Sequence, residues 1–256
     1  MKGLIIKDVL CLKKQLALYV FVLAGVLAVS VMYVLSARFG NLSLAGEAML
    51  ASEELSALDV RNLGTLALVL FMLLPIAAVG DMAMVFEADG RAGFPRVAGA
   101  LPVSVKKRVL SRFLAIYALF GVGVAIDVLI ALLLSLLTDL ISFSGLLGII
   151  LSSASVMSIY NALVIFFCLL LGYGRESYAQ LLSVLTVLAA LILVNLKSLL
   201  AEFTGTGANA HAIGFLWRML DFMKGRAWIL LLAAALVSVL SFAASAAVAE
   251  KKRGVI

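Results

Sequence analysis

The chain has 256 residues, of which 65% are hydrophobic and 13% charged, and its formal net charge is +6. An average soluble domain is about 45–50% apolar and about 25% charged, so a soluble core could not bury this much apolar surface. The composition excludes the ordinary soluble classes and predicts an integral membrane protein.

The apolar residues occur in blocks long enough to cross a bilayer. A spanning helix needs about 20 mostly apolar residues, and each block must be helical because lipid offers the backbone no hydrogen-bonding partner. We predict a single transmembrane domain over residues 1–256 with six spans: Leu16–Ser36, Leu63–Phe86, Phe113–Thr138, Leu146–Leu171, Tyr178–Leu196 and Ala227–Val248.

The positions of Lys and Arg predict the orientation of these spans. Positive residues near spans are retained on the cytoplasmic side, and an even number of spans puts both termini on one side. With both termini inside, fourteen of the twenty Lys and Arg residues fall in cytoplasmic segments. The sequence therefore predicts an all-α integral membrane protein with cytoplasmic N and C termini. Contact with anionic headgroups accounts for the positive charge without a nucleic-acid partner.

The N-terminal stretch suits a helix and allows two interpretations. Leu4, Ile5, Val9 and Leu12 share one helical face and lysines occupy the other, although Asp8 interrupts the apolar side. One interpretation is a helix lying in the inner interface. The other is a simple positive flank that orients the first span.

The longest predicted cytoplasmic segment, Glu87–Ser111, contains apolar residues that a flexible tether would avoid. Pro102 and Ser104 indicate a helix start, since Pro suits the first turn and a Ser side chain can accept from free amides. A basic run then leads into the third span. The segment is either a positive-inside loop with a short surface helix or an element that docks a partner.

The predicted outer segment, Lys197–Arg226, ends in an amphipathic pattern. Its apolar residues at helical spacing are Ile213, Leu216, Trp217 and Leu220. They predict a helix at the outer leaflet, either anchored there by its Trp or forming an exit gate.

The search for catalytic chemistry gives mostly negative results. The chain contains no GxxxxGK[ST] phosphate loop and a single histidine, His211, which disfavours His-pair metal sites and a Ser-His-Asp arrangement. Cys11 and Cys168 lie too far apart in the predicted topology to form a disulfide or a metal site. We expect no enzymatic activity of the chain itself, no cofactor and no metal.

Asp127 is the clearest charged residue at membrane depth. A carboxylate in the third span is costly and faces a cavity, a partner or water. Proton coupling or substrate contact is the functional hypothesis. The structural alternative is that Asp127 caps a polar neighbour such as Asn161 or Tyr160, or lies where water reaches it.

Small residues four apart indicate close helix packing in two spans. Gly121 and Ala125 lie in the third span, and Ser241, Ser245 and Ala249 in the sixth. Such spacing lets helix backbones approach each other. The pattern does not identify the packing partner.

Three segments carry a family resemblance: the opening MKGLIIKDVLCLKKQ, ALPVSVKKRVLSRFL at 100–114, and LGYGRESYAQLL at 171–182. They resemble the type-2 ABC exporter permeases, and more narrowly the short bacterial permeases of the phenol-soluble-modulin exporter kind. The resemblance implies the type-2 ABC exporter permease fold in the plasma membrane. It also implies a separate ABC ATPase subunit, and a second permease copy or paralogue.

The resemblance further implies roles for three segments. The N-terminal stretch would be a connecting helix, and the outer hairpin an extracellular gate. The segment from Glu87 would dock on the ATPase through Leu101, Pro102, Val103, Ser104, Lys106, Lys107 and Arg108. The expected function is export of an amphipathic, peptide-like or lipid-like substrate. The alternatives are a proton-coupled secondary transporter using Asp127 and a non-transporting membrane scaffold.

Overall fold

A computed structural model of the chain describes residues 2–11, 13–38, 82–94, 103–137, 142–203 and 224–252. The regular structure in these ranges is helical throughout. The helices are α1 (Lys2–Cys11), α2 (Lys13–Arg38), α3 (Met82–Arg91), α4 (Val105–Leu137), α5 (Phe143–Leu171), α6 (Glu176–Phe203) and α7 (Ala227–Lys251).

Within the described ranges, four helices are long and apolar enough to cross a membrane: Val105–Leu136, Phe143–Leu171, Glu176–Leu193 and Ala227–Lys251. A shorter apolar stretch, Val20–Met32, lies within α2. The four long helices overlap the predicted third to sixth spans, and α2 covers the residues of the predicted first span. The remaining span, Leu63–Phe86, lies largely outside the described residues, so the count of six stays a prediction.

The helix that carries the predicted third span begins at Val105 and not at Phe113. Ser104 precedes it, and the Ser104 carbonyl accepts a hydrogen bond of 3.2 Å from the Arg108 amide. Lys and Arg are good helix formers, so the basic run continues the helix. The apolar block alone locates the lipid-crossing part and misses the two turns before it.

Local signals also set the ends of α5. The Ser142 side chain accepts a hydrogen bond from the Gly145 amide, which caps the first turn. At the other end the Gly172 amide donates to the Cys168 carbonyl at 3.0 Å, and Gly172 has a φ of 88°. Glycine adopts this conformation without a Cβ penalty, so the helix stops here.

Helix α5 is the centre of the bundle and packs against α4, α6 and α7. Its tightest partner is α7, whose small residues Ala234, Ser241 and Ser245 are buried. The Ser241 hydroxyl donates to the Ala162 carbonyl of α5 at 2.6 Å. The small-residue pattern of the sixth span therefore packs against the fourth. Gly121, by contrast, has open space beside it.

The buried apolar residues form two clusters. One joins α2, α4 and α5 around Val26, Phe120 and Ile150. The other joins α3 to the start of α4 and to the ends of α5 and α7, around Phe86 and Ile165. We call the second region the Arg112 end, because Lys106, Arg112, Leu170 and Lys252 all lie there.

The outside of the bundle is apolar. Large side chains such as Phe21, Leu136, Leu193 and Leu232 are exposed on α2, α4, α6 and α7. Helices that are apolar on their outer faces as well as their inner ones belong in lipid, because an exposed apolar surface of this extent is unstable in water. The protein is therefore a multi-pass membrane protein.

Helix α1 packs against the protein through the face that the sequence pattern identified, on which Leu4, Ile5 and Val9 are half-buried. It contacts α3 and α4, and its most buried residue is Asp8, which interrupts the predicted apolar face. Ile6 and Leu10, which lie outside that face, are exposed. Asp8 can be buried because it has charged partners in the folded protein, which are described next.

Candidate functional site

A cluster of charged side chains is buried at the Arg112 end. Asp8 of α1, Asp89 of α3 and Arg112 of α4 are 1%, 2% and 7% exposed. Lys7 of α1 and Tyr173, which follows α5, complete it. Burying a charge costs several kcal/mol unless it is paired and hydrogen-bonded, so the partners of each group matter.

Asp89 is the centre of the cluster. Its Oδ2 accepts a hydrogen bond from Arg112 Nη2 at 2.7 Å. Lys7 Nζ donates to Asp89 Oδ1 at 2.7 Å and to Oδ2 at 2.9 Å. This single carboxylate therefore joins three helices, α1, α3 and α4, that are far apart in sequence.

Two further contacts extend the cluster. Arg112 Nη2 also donates to the Tyr173 hydroxyl at 3.3 Å, which adds the turn after α5. Lys7 Nζ lies 3.0 Å from Asp8 Oδ1. Two cations and two carboxylates thus face one another, and their formal charges balance.

Aromatic rings cover both cations. Arg112 Cζ lies 3.9 Å from the centroid of the Phe86 ring, and Lys7 Nζ lies 3.8 Å from that of Phe94. The Tyr173 ring is 6.1 Å from the Phe86 ring. A cation over an aromatic face is attracted to it. The rings also exclude water, which strengthens the ion pairs beneath them.

Burial raises the pKa of Asp8 above its ordinary value, because desolvation disfavours the carboxylate. The neighbouring Lys7 and Arg112 act in the opposite direction but do not cancel this effect. Docking α1 on the protein therefore has an electrostatic cost at neutral pH. The bond from Lys7 to Asp89 offsets part of that cost.

The sequence of α3 explains how its side chains reach the cluster. Phe86 and Asp89 are three residues apart and lie on one helical face. Gly90 is next to the Tyr173 ring: a Cβ built on Gly90 would lie 3.4 Å from Tyr173 Cδ1. On the exposed face, Arg91 and Glu87 form an ion pair. Helix α3 thus buries one face against the body of the bundle.

Of the residues predicted to dock an ATPase, the five that the structure describes lie at the same end but outside the cluster. Val103 and Ser104 precede α4, and Lys106, Lys107 and Arg108 occupy its first turn. Lys106 Nζ is 3.6 Å from Glu250 Oε1 of α7, and Lys107 is exposed. Leu101 and Pro102 lie outside the described residues, as do Ile213, Leu216, Trp217 and Leu220 of the predicted gate.

Asp127 is fully buried in α4. The Tyr117 hydroxyl accepts a 3.1 Å bond from Ser158 of α5, which aligns the two antiparallel helices. Asn161 comes three residues after Ser158 on α5, in the direction away from Asp127. Its side-chain amide donates to the Met157 carbonyl of its own helix at 3.0 Å. Asp127 lies ten residues beyond Tyr117 on α4, about 15 Å along the axis. The structure therefore separates Asp127 from Asn161, one of its two expected partners.

Sequence reasoning missed the buried cluster. It treated Arg112 as one of several positive residues flanking a span, and Asp8 as a fault in an apolar face. The available signal was Asp8 itself, since a lone carboxylate on an apolar helical face needs a buried partner. No group of three His, Cys, Asp or Glu residues that could hold a metal occurs among the residues that the structure describes.

The described residues thus form a bundle of apolar helices with a buried charged cluster at one end. Comparison with protein families gives a match to the model of the ABC-2 family transporter protein over residues 58–252. This match covers most of the chain, which therefore belongs to the ABC-2 transporter family. Comparisons with curated proteins and with solved structures give no match. Members of this family are membrane components of ABC transporters.

Proposed function

We propose that the chain is the membrane-spanning permease subunit of an ABC exporter, driven by a separate ATPase subunit that docks at the Arg112 end. Family membership supports the transporter class. The observation that carries the proposal is the set of bonds from Asp89 to Arg112 and Lys7, which fixes the start of the predicted docking segment to the body of the bundle.

The docking segment must transmit force to the spans. A flexible segment would absorb the movement of an ATPase, whereas α3 is joined to α4 by a buried ion pair. Breaking such a pair by removing one partner costs about 3–5 kcal/mol. A displacement of α3 therefore carries α4 with it, and α4 is one of the four helices able to cross the membrane.

The proposed docking surface combines α3 with the first turn of α4. It includes the exposed Lys107 and the preceding Val103 and Ser104. The Arg112 end faces the cytoplasm in this proposal, because the predicted cytoplasmic Lys and Arg residues are concentrated there.

Two permease copies, identical or paralogous, would line a shared path between them. ATP-driven closure of the ATPases would shift the pair between inward-open and outward-open states, which requires different contacts in the two states. The apolar helices favour an amphipathic, peptide-like or lipid-like substrate that leaves past the outer hairpin. The localisation proposed is the plasma membrane.

The second candidate function is a proton-coupled transporter that uses Asp127. The complete burial of this carboxylate within a span favours it, because intramembrane carboxylates commonly take part in ion pathways. A non-transporting scaffold is the third candidate.

Co-purification tests the main proposal. The tagged chain is solubilised from its own cells and the captured proteins are identified. We expect a phosphate-loop ATPase, and we expect the triple variant of Lys106, Lys107 and Arg108 to alanine to release it. The matched control replaces the exposed Lys224 and Arg226 at the opposite end, which should leave capture unchanged. Capture that survives the triple variant contradicts the proposed surface.

Reconstitution separates the exporter from the proton-coupled carrier. The chain alone in liposomes should not transport when a pH gradient is applied, and Asp127→Asn should leave ATP-driven transport within a few-fold of the parent. Gradient-driven transport by the chain alone, abolished by Asp127→Asn, supports the second candidate instead.

Labelling tests the orientation. In a Cys11→Ser background, Ser104→Cys should be protected from a membrane-impermeant maleimide in intact cells and react after permeabilisation. Lys224→Cys, at the opposite end of the bundle, should react in intact cells. The reverse pattern contradicts the assignment of the Arg112 end to the cytoplasm.

A further inference from the structure

The turn after α5 holds Tyr173 against the docking segment. Gly172 and Gly174 have φ of 88° and 85°, a region that side chains other than glycine rarely adopt. Tyr173 stands between them, with its ring beside Gly90 and its hydroxyl bonded to Arg112. The two glycines thus create a sharp turn that brings one aromatic side chain to both α3 and α4.

The end of α5 is itself held by a residue of the chain's C-terminal region. Lys252 Nζ donates to the Leu170 carbonyl at 2.5 Å and to the Leu169 carbonyl at 3.2 Å. The last carbonyls of a helix have no partner within the helix, and a cation there also interacts favourably with the helix dipole. Lys252 therefore anchors Leu169 and Leu170 in the last turn of α5.

The contacts form a continuous path from α7 to α3. Lys252 follows the last residue of α7 and fixes Leu170, which lies three residues before Tyr173. Tyr173 then contacts Arg112, which holds Asp89. The other link from the end of α7, between Lys106 and Glu250, is largely exposed and 3.6 Å long. An exposed ion pair of this length contributes little, whereas Lys252 makes two hydrogen bonds, of which the one to Leu169 is partly buried; the path through Lys252 is therefore the stronger one.

We infer that Lys252 and Tyr173 are positioning residues for α3: Lys252 fixes the end of α5, and the turn then presents Tyr173 to Gly90 and Arg112. The role of α3 in ATPase docking rests on the proposed function, whereas its positioning by these two residues does not. The end of α7 thereby helps to set how the docking segment is oriented.

Hydrogen–deuterium exchange of the chain alone in nanodiscs tests the positioning. Lys252→Met keeps the aliphatic stem and removes the ammonium. We expect exchange of the α3 amides to rise about tenfold, because charge-assisted hydrogen bonds are lost and local opening becomes easier. Tyr173→Phe, which loses only the hydroxyl, should raise exchange in α3 by a smaller factor.

Two matched variants control this experiment. Lys251→Met removes an exposed charge from the neighbouring position and should leave α3 unchanged. Lys252→Arg restores a cation and should return exchange in α3 towards that of the parent. Exchange in the middle of α5 should stay constant in every variant, which shows that the fold is intact. Unchanged exchange in α3 with Lys252→Met, or an equal rise with Lys251→Met, overturns the inference.

A second measurement concerns coupling. In the complex with its ATPase, Lys252→Met should still capture the ATPase but lower the amount of substrate moved per ATP hydrolysed, and Lys252→Arg should recover it. Equal coupling ratios in the parent and Lys252→Met would argue against the role in docking. If the parent captures no ATPase, the proposed function fails, while the exchange experiment still decides the positioning.

Discussion

The contact between Asp89 and Arg112 can be measured with a double-mutant cycle. Arg112→Met keeps a long apolar stem under the Phe86 ring and removes the guanidinium. Asp89→Asn keeps the shape of the carboxylate and removes its charge. The third variant combines both changes.

The structure sets the expected magnitudes. Asp89 and Arg112 are nearly inaccessible to water, so either single change leaves an incompletely compensated buried charge, with a cost of about 3–5 kcal/mol. Lys7 still pairs with Asp89 when Arg112 is absent, which puts Arg112→Met at the lower end of that range. The double variant removes both charges, so the coupling free energy should be about 2 kcal/mol.

Equilibrium unfolding in mixed micelles provides the assay. The chain contains two tryptophans, whose fluorescence reports unfolding as SDS is added. Lys107→Met is the control for loss of an exposed cation and should change the free energy of unfolding by less than about 0.5 kcal/mol. If the two single changes add to give the double variant within about 0.5 kcal/mol, the buried pair does not act as the structure indicates.

Three further predictions use the same unfolding assay. Gly172→Ala should lower the free energy of unfolding by about 1–2 kcal/mol, because the φ of 88° at this position is strained for alanine. Gly121 lies in a helix with open space beside it, so Gly121→Ala should raise the free energy of unfolding by up to about 1 kcal/mol. Equal effects of the two substitutions would contradict this reasoning. Because the pKa of Asp8 is raised in the folded protein, ionisation of this carboxyl opposes folding at pH values above the raised pKa. The free energy of unfolding of the parent, relative to that of Asp8→Asn, should therefore increase as the pH falls through the raised pKa towards the ordinary value of 3.8. An increase in this difference when the pH is raised would refute the assignment. Ser241→Ala removes the 2.6 Å bond to the Ala162 carbonyl and should cost about 0.6 kcal/mol, the average for such bonds in membranes; a cost of zero would show that packing alone holds α5 and α7 together.

Much of the helical architecture could be predicted because lipid imposes a simple rule. A block of about 20 apolar residues must be a helix, and the block Leu146–Leu171 corresponds to α5 at Phe143–Leu171. The rule does not apply to polar helical turns outside the lipid. The start of α4 at Val105 agrees instead with the helix start that Pro102 and Ser104 indicated in the sequence.

The buried cluster could not be predicted from local patterns. Asp89 meets Lys7 across 82 residues and Arg112 across 23. Near a span, an exposed Lys107 and a buried Arg112 give the same positive-inside signal. Only the tertiary arrangement distinguishes a charge that sets topology from one that holds helices together.

The exposure of the two cations indicates where movement of the docking segment can begin. The side chain of Arg112 is 9% exposed and that of Lys7 is 27% exposed. Lys7 lies on a ten-residue helix and can exchange its bonds to Asp89 for bonds to water at modest cost. Arg112 cannot exchange its bond to Asp89 in this way, because separating the two would leave a buried charge without its partner. In the proposed exporter, α3 and α4 therefore move as one unit, and α1 is the element that separates from them first.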